Sequence, residues 1–125
     1  MPVSNLSAVR IFVDDLAAAA GFYDRLLGAP MVAEPDQGFL VYRCGPARVV
    51  IERVDASAEA EDRALVGRFS GVSFAVGDIM TACDGLRADG IKVSGAPARQ
   101  FWGGWLATLT DPAGNQVQLV QYPPD

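Results

Sequence analysis

An α+β fold built from two tandem βαβββ modules is what this sequence predicts, and three observations carry the prediction. A strand that runs straight into a helix, Ala8 to Gly28, returns as Gly71 to Gly90. Ala8, Val13, Asp15 and Leu16 map onto Gly71, Val76, Asp78 and Ile79 at a constant offset of 63, as an internal duplication would leave them. After each helix come an extended stretch, a Pro-Ala turn (Gly45-Pro46-Ala47, then Asp111-Pro112-Ala113-Gly114-Asn115) and a last strand, now at an offset of 66. Module one is expected over about 6–54, a linker over 55–70 and module two over about 71–121, all within one domain.

Taken in order, Val9, Ile11 and Val13 alternate with Ala8, Arg10 and Phe12, the period of a strand with two different faces. Asp14 and Asp15 supply a capping oxygen. Leu16, Ala20, Tyr23 and Leu27, with Ala19 and Leu26 beside them, form an apolar stripe at helical spacing, and Gly28 is the stop. Pro30–Ala33 is expected as a second strand, 34–38 as a turn, Phe39–Cys44 and Arg48–Val54 as strands three and four. The segment 55–70 is rich in Ala, Glu and Asp and fits a turn or two of exposed helix. In module two Val72, Phe74 and Val76 alternate, Asp78 caps, and Ile79, Ala82, Cys83 and Leu86 make the stripe. Ile91–Val93 is expected as a strand, Ser94–Gln100 as a loop, and Leu106–Thr110 and Gln116–Val120 as strands. Phe39, Tyr42 and Phe101 are expected in the core.

The 125 residues suffice to bury one core, whereas each half of about 60 residues would be marginal alone. A net charge of −5 with ten Lys and Arg supplies no basic footprint for nucleic acid or an anionic membrane, and neither is an expected partner. Cys44 and Cys83 stand singly, without zinc-site spacing, and read as reduced, buried small hydrophobes. With no secretory-type leader and no apolar run of about 18 residues, the expected compartment is the cytoplasm.

The tandem βαβββ modules, Val-x-Asp-(Leu/Ile) between strand and helix, Phe22-Tyr23, Leu27-Gly28, Trp102-Gly103-Gly104 and Asp-Pro-x-Gly-Asn before the last strand together resemble the vicinal oxygen chelate superfamily. That group contains glyoxalase I, the extradiol dioxygenases, the fosfomycin-modifying enzymes and the bleomycin-resistance proteins. The resemblance spans about Leu6 to Gln121. It implies that the modules form a cupped eight-stranded mixed sheet with the helices outside, and that the protein is a homodimer. It also implies a metal-binding position on the first and last strand of each module, which here are Ala8, Glu52, Gly71 and Gln118. The family's enzymes typically carry His at the first and third positions and Glu at the second and fourth. A catalytic metal site needs about three protein ligands, and this chain has no histidine at all. No metal and no other cofactor is expected.

Residues two apart on a strand share a face, so the cup of the resembling fold would present Arg10, Phe12, Glu52, Ser73, Gln116 and Gln118 to a small-molecule ligand. Trp102 and Trp105 invite stacking on a planar or cationic compound, or pack the interior. Glu52, a charge in mid-strand, has three readings: a relic neutralised by Arg10, a carboxylate that receives a ligand amine, or a lone catalytic base, the only catalytic candidate the chain offers. Gly103-Gly104 lacks the Lys-Ser or Lys-Thr of a phosphate loop. Without histidine, Ser/His and Cys/His nucleophiles are excluded. The expectation is a non-catalytic protein that sequesters an aromatic or cationic small molecule. Its alternative is a lyase, isomerase or dioxygenase of the same superfamily with an atypical or absent metal site.

Overall fold

Asp15 and Asp78, the residues that the repeat places before its two long helices, are N-caps. Asp15 accepts from the Ala18 N–H at 3.1 Å, and Asp78 accepts from the Thr81 N–H at 3.2 Å and the Thr81 hydroxyl at 2.9 Å. These bonds, made to the ionised carboxylate, hold the Asp78 pKa below its ordinary value. The helices that follow are α1, Leu16–Leu27, and α3, Ile79–Ala88, with the short α2, Ala60–Arg63, between them. α1 stops at Gly28, whose φ of 83° is left-handed territory that glycine enters without steric cost.

The computed structural model describes residues 1–125. Its strands are β1 Ala8–Val13, β2 Val32–Glu34, β3 Phe39–Cys44, β4 Ala47–Arg53, β5 Phe69–Ala75, β6 Lys92–Arg99, β7 Trp105–Thr110 and β8 Gln116–Gln121. They form two four-stranded mixed sheets, ordered β1-β4-β3-β2 and β5-β8-β7-β6. Each has one parallel pair, β1 with β4 and β5 with β8, and is otherwise antiparallel. The same topology occurs twice, as the repeat requires. The chain divides into two compact units, Met1–Gly67 and Arg68–Asp125.

In the first unit α1 packs on β3 and β4. Leu16, Ala19, Phe22 and Tyr23 are buried, as are Ile11, Val13, Leu40, Tyr42, Val49 and Ile51 on the facing strands. The Tyr23 ring meets Phe22 edge-on at 4.7 Å and lies 6.4 Å from Tyr42. In the second unit α3 packs on β6, β7 and β8, where Ile79 and Cys83 are buried together with Phe74, Ala107, Leu109, Val117 and Leu119. Alternation along each strand leaves the opposite faces to Arg10, Phe12, Val50 and Glu52 in unit one and to Ser73, Thr108, Gln116 and Gln118 in unit two.

Several expectations are corrected. The loop expected over 94–100 is most of β6, which runs to Arg99 with a register shift between Ser94 and Ala98. Gly95 and Pro97 hide the strand in the sequence, yet an edge strand with a bulge tolerates both, because the missing ladder bonds face outward. The second strand lies at Val32–Glu34 rather than 30–33, since Pro30 donates no ladder bond. The α1 stripe includes Phe22 among its buried residues. Phe101 is wholly exposed, not core, because it falls in the turn before β7. Phe39 and Cys44 are only half-buried, and both cysteines are free.

Candidate functional site

Glu52 lies near the end of β4, directly opposite Phe12 of the parallel strand β1, while Arg10 is two residues back on the same face as Phe12. From there the Arg10 side chain runs over the Phe12 ring, its Cζ 5.1 Å from the ring centroid. It forks onto the Glu52 carboxylate: Nη2 donates to Oε1 at 3.0 Å and Nε donates to Oε2. The Glu52 side chain is 27% exposed and that of Arg10 62%, so the carboxylate is the sheltered partner and the guanidinium the outer one. The bonds from Arg10 to Glu52 and the carboxylate's charge raise the Arg10 pKa, which keeps it charged throughout the accessible pH range.

These three residues open onto a cleft of about 340 Å³, within the range of small-molecule sites. The strands contribute Arg10, Phe12 and Glu52 to its lining, and the segment after β4 contributes Ala58, Asp62 and Leu65. Val66, at the end of that segment, bridges to Phe12, so the stretch expected as a plain linker is tied to β1. Arg53 and Asp55 also line the cleft and pair with each other at 3.1 Å. Two guanidiniums thus meet three carboxylates, an acidic balance that favours a neutral or cationic occupant.

The other candidates lie in the second unit. Gln118 sits opposite Thr108 and donates to its hydroxyl at 3.3 Å, and Ser73 pairs with Gln118 in the β5–β8 register. Gln116 shares their face. Trp105 pairs with Gln121, and Gln121 Oε1 accepts from the Ile79 N–H at 2.8 Å. Trp105 is therefore on the α3 side of its sheet, opposite to Gln118. Trp102 lies in the loop before β7, 5.9 Å from the Tyr122 ring, with its indole laid over Gly104. A Cβ at Gly104 would fall 1.8 Å from Trp102 Cζ3 and 2.7 Å from the Gln121 carbonyl oxygen, so this position accepts only glycine without rearrangement.

A divalent metal does not fit the donor set. Ala8 and Gly71 have no side-chain donor, the Glu52 carboxylate is held by Arg10, and the Gln118 amide is a neutral group engaged with Thr108. No three Asp, Glu or Cys side chains come together as a ligand cluster.

Asp55, Asp62 and Leu65 fall in a stretch that reads as a linker, so the sequence does not place them at the cleft: its charge pattern is local, and its approach to β1 is not. Asp111 and Asn115 stand in the sequence only as parts of a turn motif. Both are buried, and Asp111 Oδ1 accepts from the backbone N–H of Ala113 at 2.9 Å and of Asn115 at 2.8 Å. Asn115 Oδ1 in turn accepts from the Arg68 N–H at 3.1 Å.

The glyoxalase/bleomycin resistance protein/dioxygenase superfamily model matches residues 5–119. Among solved structures, the chain is similar to a lactoylglutathione lyase from Agrobacterium tumefaciens (24% identity, TM-score 0.76, covering 96% of this chain and 95% of that one). It is also similar to a superfamily member from Sphaerobacter thermophilus (25%, TM-score 0.73, 97% and 99%). A third similar structure is TnmS3, an antibiotic binding protein from Streptomyces sp. CB03234 (25%, TM-score 0.72, 98% of each chain). No curated protein matches the sequence. With nearly the whole chain matched and the duplicated βαβββ topology in place, the protein belongs to the glyoxalase/bleomycin resistance protein/dioxygenase superfamily.

Proposed function

We propose that this protein is a binding member of its superfamily, one that sequesters an aromatic or cationic small molecule and leaves it chemically unchanged. The observation that carries the reading is the cleft at Glu52, where the family's metal-ligand position is a carboxylate already neutralised by Arg10, beside an aromatic face and with no further metal donor from Ala8. Such a site supplies apolar contact and charge complementarity but no Lewis acid. A lone carboxylate held by an arginine is also poorly placed to move a proton. Support of a coarser kind comes from the likeness in fold to TnmS3, an antibiotic binding protein.

In this reading Arg10, Phe12 and Glu52 contact the ligand in the first unit; within the second unit Ser73, Gln116, Gln118 and Trp102 are proposed separately as polar and stacking contacts. Trp105, on the helix side of its sheet, is left out of that set. The protein is further proposed to act as a homodimer in the cytoplasm. Its two free cysteines suit a reducing compartment, and no helix is long and apolar enough to cross a membrane.

A thermal-shift screen of aromatic compounds, neutral and cationic, followed by calorimetry on the hits, tests the binding reading. Saturable binding is expected, weakened about tenfold or more by Phe12→Ala, since losing an aromatic contact and its buried area amounts to about 1.4 kcal/mol or above. An absence of hits, or turnover of a bound compound, would overturn it.

A further inference from the structure

We infer that Arg10 sets the cation selectivity of the cleft: its guanidinium is an internal counter-ion seated on Glu52, and a cationic ligand binds there by exchanging with it. The inference rests on the binding function proposed above and names how that site is regulated.

A carboxylate and an aromatic face close together are the two elements that hold an organic cation, one by charge and the other by its ring quadrupole. Glu52 and Phe12 provide both, side by side on neighbouring strands. Arg10 fills both at once. It is bidentate on the carboxylate, and its Cζ lies 5.1 Å from the Phe12 centroid. The guanidinium is the solvent-side member of the pair, 62% exposed against 27% for Glu52, so it has room to swing out while the carboxylate stays in place. Being tethered two residues from Phe12, it competes at an effective concentration on the order of mM or more. Neutral aromatic ligands do not need the carboxylate, and at the Phe12 face they meet the same apolar stem whether residue 10 is Arg or Met, so the charge exchange does not bear on them.

The test uses paired aromatic probes, each an amidinium and its neutral carboxamide, titrated by calorimetry into the wild type, Arg10→Met and Arg10→Met/Glu52→Gln. Met keeps the apolar stem over Phe12 and removes the charge; circular dichroism checks the fold, and Arg10→Lys, which retains a charge but not the fork, serves as the milder variant. Amidinium affinity should rise about tenfold or more in Arg10→Met, with the carboxamide changed by less than about twofold, and the double variant should lose the preference. Arg10→Lys should fall between wild type and Arg10→Met. If the wild type binds the probes and Arg10→Met leaves amidinium affinity unchanged or lower, this inference falls while the binding function stands. If only Arg10→Met binds amidines, the inference holds and the proposed function of the wild type falls. Binding by neither protein would overturn both.

Discussion

Tyr42 is fully buried between sheet and helix, yet it carries a hydroxyl, and its donation to Asp24 Oδ1 at 2.6 Å makes that burial tolerable. Burial first, then the Asp24 bond and charge, raise the Tyr42 pKa above its ordinary value. The folded chain therefore keeps this proton at pH values where the unfolded chain has released it. Its contribution to stability is complete below about pH 10, the unfolded value, and is lost as pH rises beyond that toward the raised folded value. Tyr42→Phe should cost about 1.5 kcal/mol near neutrality, the low end for a hydrogen bond to a charged group because Asp24 is free to rehydrate. It should also flatten the alkaline fall in stability. Urea denaturation of both proteins at about pH 8 and pH 11 checks this; an equal loss of stability on going alkaline would show that Tyr42 does not carry it.

Between elements, the hairpin joining β7 to β8 depends on side chains as much as on backbone. Asp111 gathers the N–H groups of Ala113 and Asn115, Gly114 turns the chain at a φ of 89°, and Asn115 reaches back to the Arg68 N–H just before β5 begins. One buried amide thus ties the last turn of the unit to its first strand. Asn115→Ala should destabilise by about 1–3 kcal/mol, because it leaves the Arg68 N–H and Asp111 Oδ2 without that partner in a buried setting. Chemical denaturation reads this directly, and a loss below about 0.5 kcal/mol, the scale of an ordinary surface change, would mean water replaces the amide.

For the whole molecule, each sheet ends in strands whose outer hydrogen-bonding groups its own ladder does not use: β1 and β2 in one sheet, β5 and β6 in the other. Natural sheets blunt or cover such edges. β2 is blunted by its three-residue length, and β5 and β6 by their register shifts, whereas β1 is an uninterrupted strand of six residues that only Val66 bridges, at Phe12. Pairing of two chains, as in the homodimer proposed above, is the expected way to cover such an edge. Sedimentation equilibrium at micromolar concentration should give a mass twice that of the 13.2 kDa chain; a single-chain mass would count against the homodimer.

Alone, the sequence determined what depends on neighbours in the chain: the duplication, the two aspartate caps, the strand faces and the absence of side-chain donors at Ala8 and Gly71. Each follows from residue type at fixed spacing, so no distant contact is needed to read it. Alternation also sets Arg10 and Phe12 on one face of their strand and Val50 and Glu52 on one face of theirs, and the resemblance to the family implies that the two faces coincide. What the tertiary structure alone decided is what meets on that face. The pairing of Glu52 with Arg10 turns on the β1–β4 register, which sets Phe12 opposite Glu52 and lets Arg10 reach it diagonally. The cleft itself needs Asp62 and Leu65 brought over from a segment without apolar periodicity, and Tyr42 finds Asp24 only once α1 has docked. β6 reads as loop because bulge residues defeat the alternation, and Phe101 reads as core because hydrophobicity says nothing of the turn that exposes it. In each case the deciding contact joins residues far apart in sequence, and the free energy that selects it resides in the packed fold.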